Sequence, residues 1–179
     1  EILFNIENVA SIYYYKHFLS FIIFLINFFF FYKILNKKYN NFFISFVGLF
    51  LYVTSPRILG DSFLYKDILF LSFLTISLFF LLEAIDKLNL KNLIFFALFS
   101  ALAINLRVFA ILLPFFFITI LLIKNFYEND FLRFSQKILI YLFYLFLFTY
   151  IFWPYLWASP LTNFVDLFIR HKEFNHLIK

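Results

Sequence analysis

Arg57, Lys66 and Arg107 are the residues of this chain best placed to do chemistry. The first two lie in a polar stretch, SPRILGDSFLYKD, at residues 55–67. The third breaks a long apolar run, Leu93–Ile123, in which Asn105 is the other marked interruption. An Arg at the centre of a bilayer costs about 2.5–3.5 kcal/mol on insertion scales, so ionisable groups at membrane depth usually serve a site. Cations at the ends of apolar helices suit a lipid-borne anion, such as the phosphate of a polyprenyl-phosphate lipid. A helix opening near Asp67 would add the partial positive charge and free N–H groups of its first turn.

Each of these residues also has a plainer reading. Asp67 can N-cap the helix that follows it. Lys66 can extend its stem along apolar surface towards water. Arg107 either binds an anion or pairs with an internal acid, Asp61 or Asp67. Asp61 follows Gly60 and suits a turn. His17, beside Lys16, reads first as an interfacial histidine. Trp153, Tyr155 and Trp157 stand where an aromatic belt would anchor a span. His171 and His176 have no third partner for a metal. With 2 Gly and no Cys, the chain has no phosphate-cradling glycine loop and no thiolate site, and no HExxH motif occurs. No metal or other cofactor is expected from these residues.

The elements that must position such groups are set by composition. Of 179 residues, 65% are hydrophobic and 14% charged, and the mean hydropathy is +0.93. A soluble domain has about a quarter of its residues charged, and a chain this short leaves much of its surface wet. Lipid is the solvent that accommodates the excess. The predicted fold is all-α: a polytopic transmembrane bundle of about six spans in a single transmembrane domain, 1–179. Both ends read as cuts in a longer protein, since residues 1–17 carry Glu1 and Glu7 and lack the basic start of a signal peptide. The net charge of +5 is scattered between apolar runs with no basic patch, so the expected partner is a bilayer and not nucleic acid.

A bilayer core of about 30 Å takes roughly 20 apolar residues per helix. The predicted spans are Phe18–Leu35, a shorter Phe42–Thr54 stopped at Ser55-Pro56, Ile68–Ile85, then Leu93–Leu106 and Val108–Ile123 meeting near Arg107, and Ile138–Phe152. Pro114 would kink the fifth. Lys124–Lys137 reads as a polar connection and Leu161–Lys179 as an amphipathic tail. The positive-inside rule puts Lys33, Lys37 and Lys38 in the cytoplasm. Six spans then gather Lys16-His17, the 55–67 stretch, Arg107 and the WPYLW segment on the outer face. If Leu93–Ile123 were one tilted span, Arg107 would sit in mid-membrane; a turn there avoids that cost.

Four pieces in order carry a resemblance over about residues 10–165: Lys16-His17 opening an early span; Ser55-Pro56-Arg57, Gly60, Ser62-Phe63 and Lys66-Asp67; an Ala-Leu-Ala-Ile run before Arg107; and WPYLW with Pro160 after a later span. The pattern resembles glycosyltransferase family 39-like membrane proteins, which include protein O-mannosyltransferases and aminoarabinose transferases. The resemblance implies a GT-C fold in a multi-pass protein, with a bacterial inner membrane as its setting. It implies transfer of a sugar from a polyprenyl-phosphate donor to an acceptor at the non-cytoplasmic face. Arg57, Lys66 and Arg107 would hold the donor phosphate, supported by His17, Asp61, Asp67 and Tyr155. The family's acidic base would lie upstream of Glu1, so this stretch alone is expected to be inactive. The family has His where this chain has Asp61. Two rival readings are a polytopic transporter, which should show inverted repeats, and a non-catalytic membrane subunit.

Overall fold

Asparagine or proline marks the helix boundaries at residues 40–41, 56 and 89, where local hydrogen bonding or sterics favours it. The computed structural model describes residues 9–61, 65–87, 89–128, 130–154, 157–159 and 162. Among these the regular elements are α1 (Val9–Tyr39), α2 (Phe42–Thr54), α3 (Pro56–Asp61), α4 (Tyr65–Lys87), α5 (Leu90–Leu106), a 3-10 turn (Val108–Ile111), α6 (Leu112–Glu128) and α7 (Phe131–Phe152). The all-α expectation holds. Among the described residues, four stretches are long and apolar enough to cross a membrane: Ser11–Tyr39, Lys66–Asp86, Val108–Phe126 and Phe131–Phe152. The other two expected spans are the shorter apolar helices α2 and α5.

Asn40 and Asn41 make the first reversal. Asn40 takes the left-handed conformation, with φ 47°, that asparagine tolerates just after a helix. Its N–H donates to the Asn36 carbonyl at 2.8 Å. Asn41 then caps α2, its side-chain oxygen accepting from the Phe43 and Ile44 N–H groups at 2.9 and 3.3 Å. Asn89 opens α5 in the same way, accepting from the Lys91 N–H at 3.3 Å. Pro56 begins α3, where its missing N–H costs nothing.

Several predicted boundaries need correction. α1 runs back to Val9, so Lys16 and His17 lie within a helix and not before one. The 55–67 stretch is not a loop throughout, because α3 occupies Pro56–Asp61 and α4 starts at Tyr65. Asp61 therefore ends a short helix. α6 and α7 extend well into the supposed polar connection between Lys124 and Lys137. Their charged ends stay helical because long polar side chains can reach water from a helix end. Pro114 does not interrupt α6; it lies in the first turn, where an absent N–H breaks no hydrogen bond. The end of the chain from residue 163, with His171 and His176, lies outside the described residues, as do Glu1, Glu7 and Tyr155.

α4 and α5 form an antiparallel pair in constant register. Phe80 meets Phe95, the Ser77 and Ser100 hydroxyls lie 2.9 Å apart, Phe73 meets Phe99, and Asp67 meets Arg107. Small buried residues, among them Ala97, Ala101 and Ala103, keep α5 slim where it packs. α6 and α7 close the bundle through three buried rings, with Phe96, Phe117 and Tyr141 centred 4.7–5.2 Å apart. α1 runs parallel to α4, with Phe30 against Phe79 and Phe80. α2 folds back along α1: Tyr52 stacks on Phe31 and accepts from the buried Asn27 amide at 2.9 Å. The outside is greasy. Phe18, Phe43, Phe115 and Phe143 are exposed, while Asn27, Ser45, Ser72, Ser77 and Ser100 are buried. Lipid asks for this distribution, with polar groups inside and apolar groups outside.

Candidate functional site

Arg107 ends α5 because its backbone turns extended, with φ −145° and ψ 119°. Its N–H still closes on the Ala103 carbonyl at 3.0 Å, and its own carbonyl accepts the Ala110 N–H that starts the 3-10 turn. The chain thus reverses at Arg107, and Leu93–Ile123 is two helical segments, as the cost of a mid-membrane arginine predicts. The reversal directs the Arg107 guanidinium at α4, where it donates to the Asp67 carboxylate in an ion pair. The same guanidinium lies over the Phe70 ring, 5.4 Å from its centroid. Asp67 and Phe70 are three residues apart on α4 and so share a face. Asp67 sits in the first turn of α4, where its charge complements the helix dipole, and not at the N-cap.

Asp67, one of the two acids anticipated for Arg107, is in contact with it. Lys66 is exposed beside it on the first turn of α4. Arg57 is exposed on α3, which links α2 to α4 at the same end of the bundle. His17 belongs to this end too, since α1 and α4 run parallel; its ring packs on Tyr13 at 4.1 Å. Trp153 packs against the core after the last turn of α7, and the Trp157 indole donates to the Tyr150 carbonyl at 2.8 Å. The side chains of Asp61 and Tyr155 lie outside the described residues. The ion pair thus lies at this end of the bundle with Lys66 next to it in the chain and Arg57 and His17 on neighbouring elements.

Arg107 keeps 54% of its side-chain surface and Asp67 32%, so the pair is open to a ligand from outside the bundle. A guanidinium offers five N–H donors, and one carboxylate leaves part of that set for another anion. Phe70 is not singled out by sequence reasoning, although its three-residue spacing from Asp67 is the signal that could have found it.

The opposite end has its own charged clasp. Lys37 on α1 lies 2.9 Å from Glu83 and 2.7 Å from Asp86 on α4. Lys124 on α6 donates to the Ile85 carbonyl at 2.8 Å, near the end of α4. These contacts tie three helix ends together. The sequence suggests only that the lysines are loop charges.

Cations and a carboxylate thus stand at one end of a bundle of apolar helices. No curated protein and no solved structure matches the chain. The model of the dolichyl-phosphate-mannose-protein mannosyltransferase family matches residues 14–156, most of the chain and the whole of the bundle described above except its ends. This integral membrane protein therefore belongs to the dolichyl-phosphate-mannose-protein mannosyltransferase family, a group of membrane glycosyltransferases of the GT-C type.

Proposed function

We propose that this chain is the donor-binding part of an enzyme that transfers a sugar from a polyprenyl-phosphate lipid to an acceptor at the non-cytoplasmic face of a bacterial inner membrane. The observation that carries the reading is the half-exposed Arg107, held by Asp67 and Phe70 at the end of the bundle where α3 and Lys66 also lie. Membership of the family supports the reaction class. The bacterial setting rests on the resemblance of the Ser55-to-Asp67 segment to bacterial relatives.

Sugar transfer breaks the bond between the anomeric carbon and a phosphate oxygen, so negative charge grows on the departing lipid phosphate. Fixed cations aimed at that charge lower the barrier, because they need no reorganisation when the charge appears. Arg107, with its planar fork of donors, is the first candidate, and Lys66 and Arg57 are the second and third. His17 and Tyr155 would support the same face, and Asp61 would lie beside the donor. The acceptor hydroxyl loses its proton to a carboxylate, which we place in sequence upstream of Glu1. Lipid embedding would let the donor's chain stay in the bilayer while its phosphate reaches the ends of the helices.

The test is transfer by the full-length protein in nanodiscs, using a radiolabelled polyprenyl-phosphate sugar. Arg107→Ala should lower turnover by about a hundredfold or more, the scale of losing one charge-stabilising group, with insertion unchanged. Normal transfer by Arg107→Ala would remove it from the mechanism. Solute counterflow without consumption of donor lipid would instead mark a transporter.

A further inference from the structure

We propose that Asp67 is an internal stand-in for the donor phosphate: it holds Arg107 in place between turnovers and gives way when the phosphate arrives. The inference rests on the reading of Arg107 as a donor-phosphate ligand, and adds how that ligand is regulated. Three observations carry it. The chain supplies Arg107 with a carboxylate of its own, Asp67. The pair is half-open, at 54% and 32% exposure, so an incoming anion can reach the guanidinium and the displaced carboxylate can be solvated. Phe70 lies under the same guanidinium and does not depend on Asp67, so Arg107 keeps one support after the carboxylate leaves.

The physical consequence is a competition. A phosphate and a carboxylate on one guanidinium repel each other, so binding the donor costs part of the existing pair. Donor and lipid-phosphate product are both bound more weakly than an unpaired arginine would bind them. Weaker product binding favours release, which limits turnover in many enzymes. Asp67 is therefore a positioning residue that sets affinity and release rate, and it need not touch the sugar. Its place in the first turn of α4 keeps the carboxylate close by after displacement, its negative charge complemented by the helix dipole.

The experiment is a titration of full-length protein in nanodiscs with short-chain polyprenyl phosphate, alongside steady-state transfer. Asp67→Asn keeps the size of the side chain and removes the charge. It should bind polyprenyl phosphate about fivefold more tightly, as expected from relieving a half-exposed ion pair. KM should fall and kcat should fall with it, as product release slows. Equal or weaker binding by Asp67→Asn would overturn the proposal, since a purely structural partner of Arg107 gives that result. Arg107→Gln in the same titration separates the two readings. If it binds as well as the native protein, Arg107 is not a phosphate ligand and the proposed function fails first. Should Asp67→Asn not fold, Asp67→Ser is measured in its place, with the same tightening expected and the same overturning result.

Discussion

Asp67 and Arg107, forty residues apart in sequence, form an ion pair where the second half of the apolar run from Leu93 turns back into the bundle. The pair fastens the start of α4 to the end of α5. It also accounts for the break in the run: an arginine in the middle of a continuous helix would lie in hydrocarbon, and the reversal delivers it to a carboxylate instead.

Phe70 should matter through its ring and not its bulk. Phe70→Leu keeps most of the apolar volume and removes the π face beneath Arg107. A cation–π contact at an exposed site contributes about 0.5–1 kcal/mol, so donor affinity should fall roughly two- to fivefold. Transfer kinetics at limiting donor would show it, and Phe70→Tyr should behave as the native protein does.

The clasp at the other end can be measured by a double-mutant cycle. Lys37→Ala leaves Glu83 and Asp86, three residues apart on α4, without the cation between them. The expected loss of stability is about 0.2–1 kcal/mol, since these groups are partly exposed. Glu83→Gln added to Lys37→Ala should recover part of that loss, because it removes the repulsion as well. Thermal unfolding in mild detergent would read the cycle; full additivity of the two changes would deny the coupling.

At Gly48 the helices α1 and α2 come together. A Cβ there would meet a terminal methyl of Leu35 at 2.7 Å. Because that methyl is the far end of a flexible side chain, Gly48→Ala should be nearly neutral, the crowding offset by the better helix propensity of alanine, up to about 1 kcal/mol. Gly48→Phe should part the two helices and lower stability by about 1–3 kcal/mol, read as a lower Tm in mild detergent. The Asn27–Tyr52 hydrogen bond, which spans the same two helices, should break with that separation.

Orientation is open to direct labelling, as the sequence has no cysteine of its own. Gly60→Cys has open space for its side chain, and Lys38→Cys is exposed. In intact spheroplasts a membrane-impermeant maleimide should label Gly60→Cys and spare Lys38→Cys until the membrane is opened. The reverse pattern would invert the assignment of faces and remove the site from the non-cytoplasmic side.

Much of this molecule is legible in its sequence. Lipid as the solvent follows from composition, because transfer of side chains between water and hydrocarbon is nearly a sum over residues. The breaks at Asn40-Asn41 and Pro56 follow from local rules, since caps and prolines act within a few residues, and the break at Arg107 follows from the cost of a charge in hydrocarbon. Tertiary structure alone decided that Arg107 meets Asp67 over Phe70, and that Lys37 meets Glu83 and Asp86. Those ion-pair partners lie forty or more residues apart, and which side chains face each other depends on the register in which helices pack. That register is set by buried pairs such as Ser77 with Ser100 and Phe96 with Tyr141, which no local spacing along one helix can reveal.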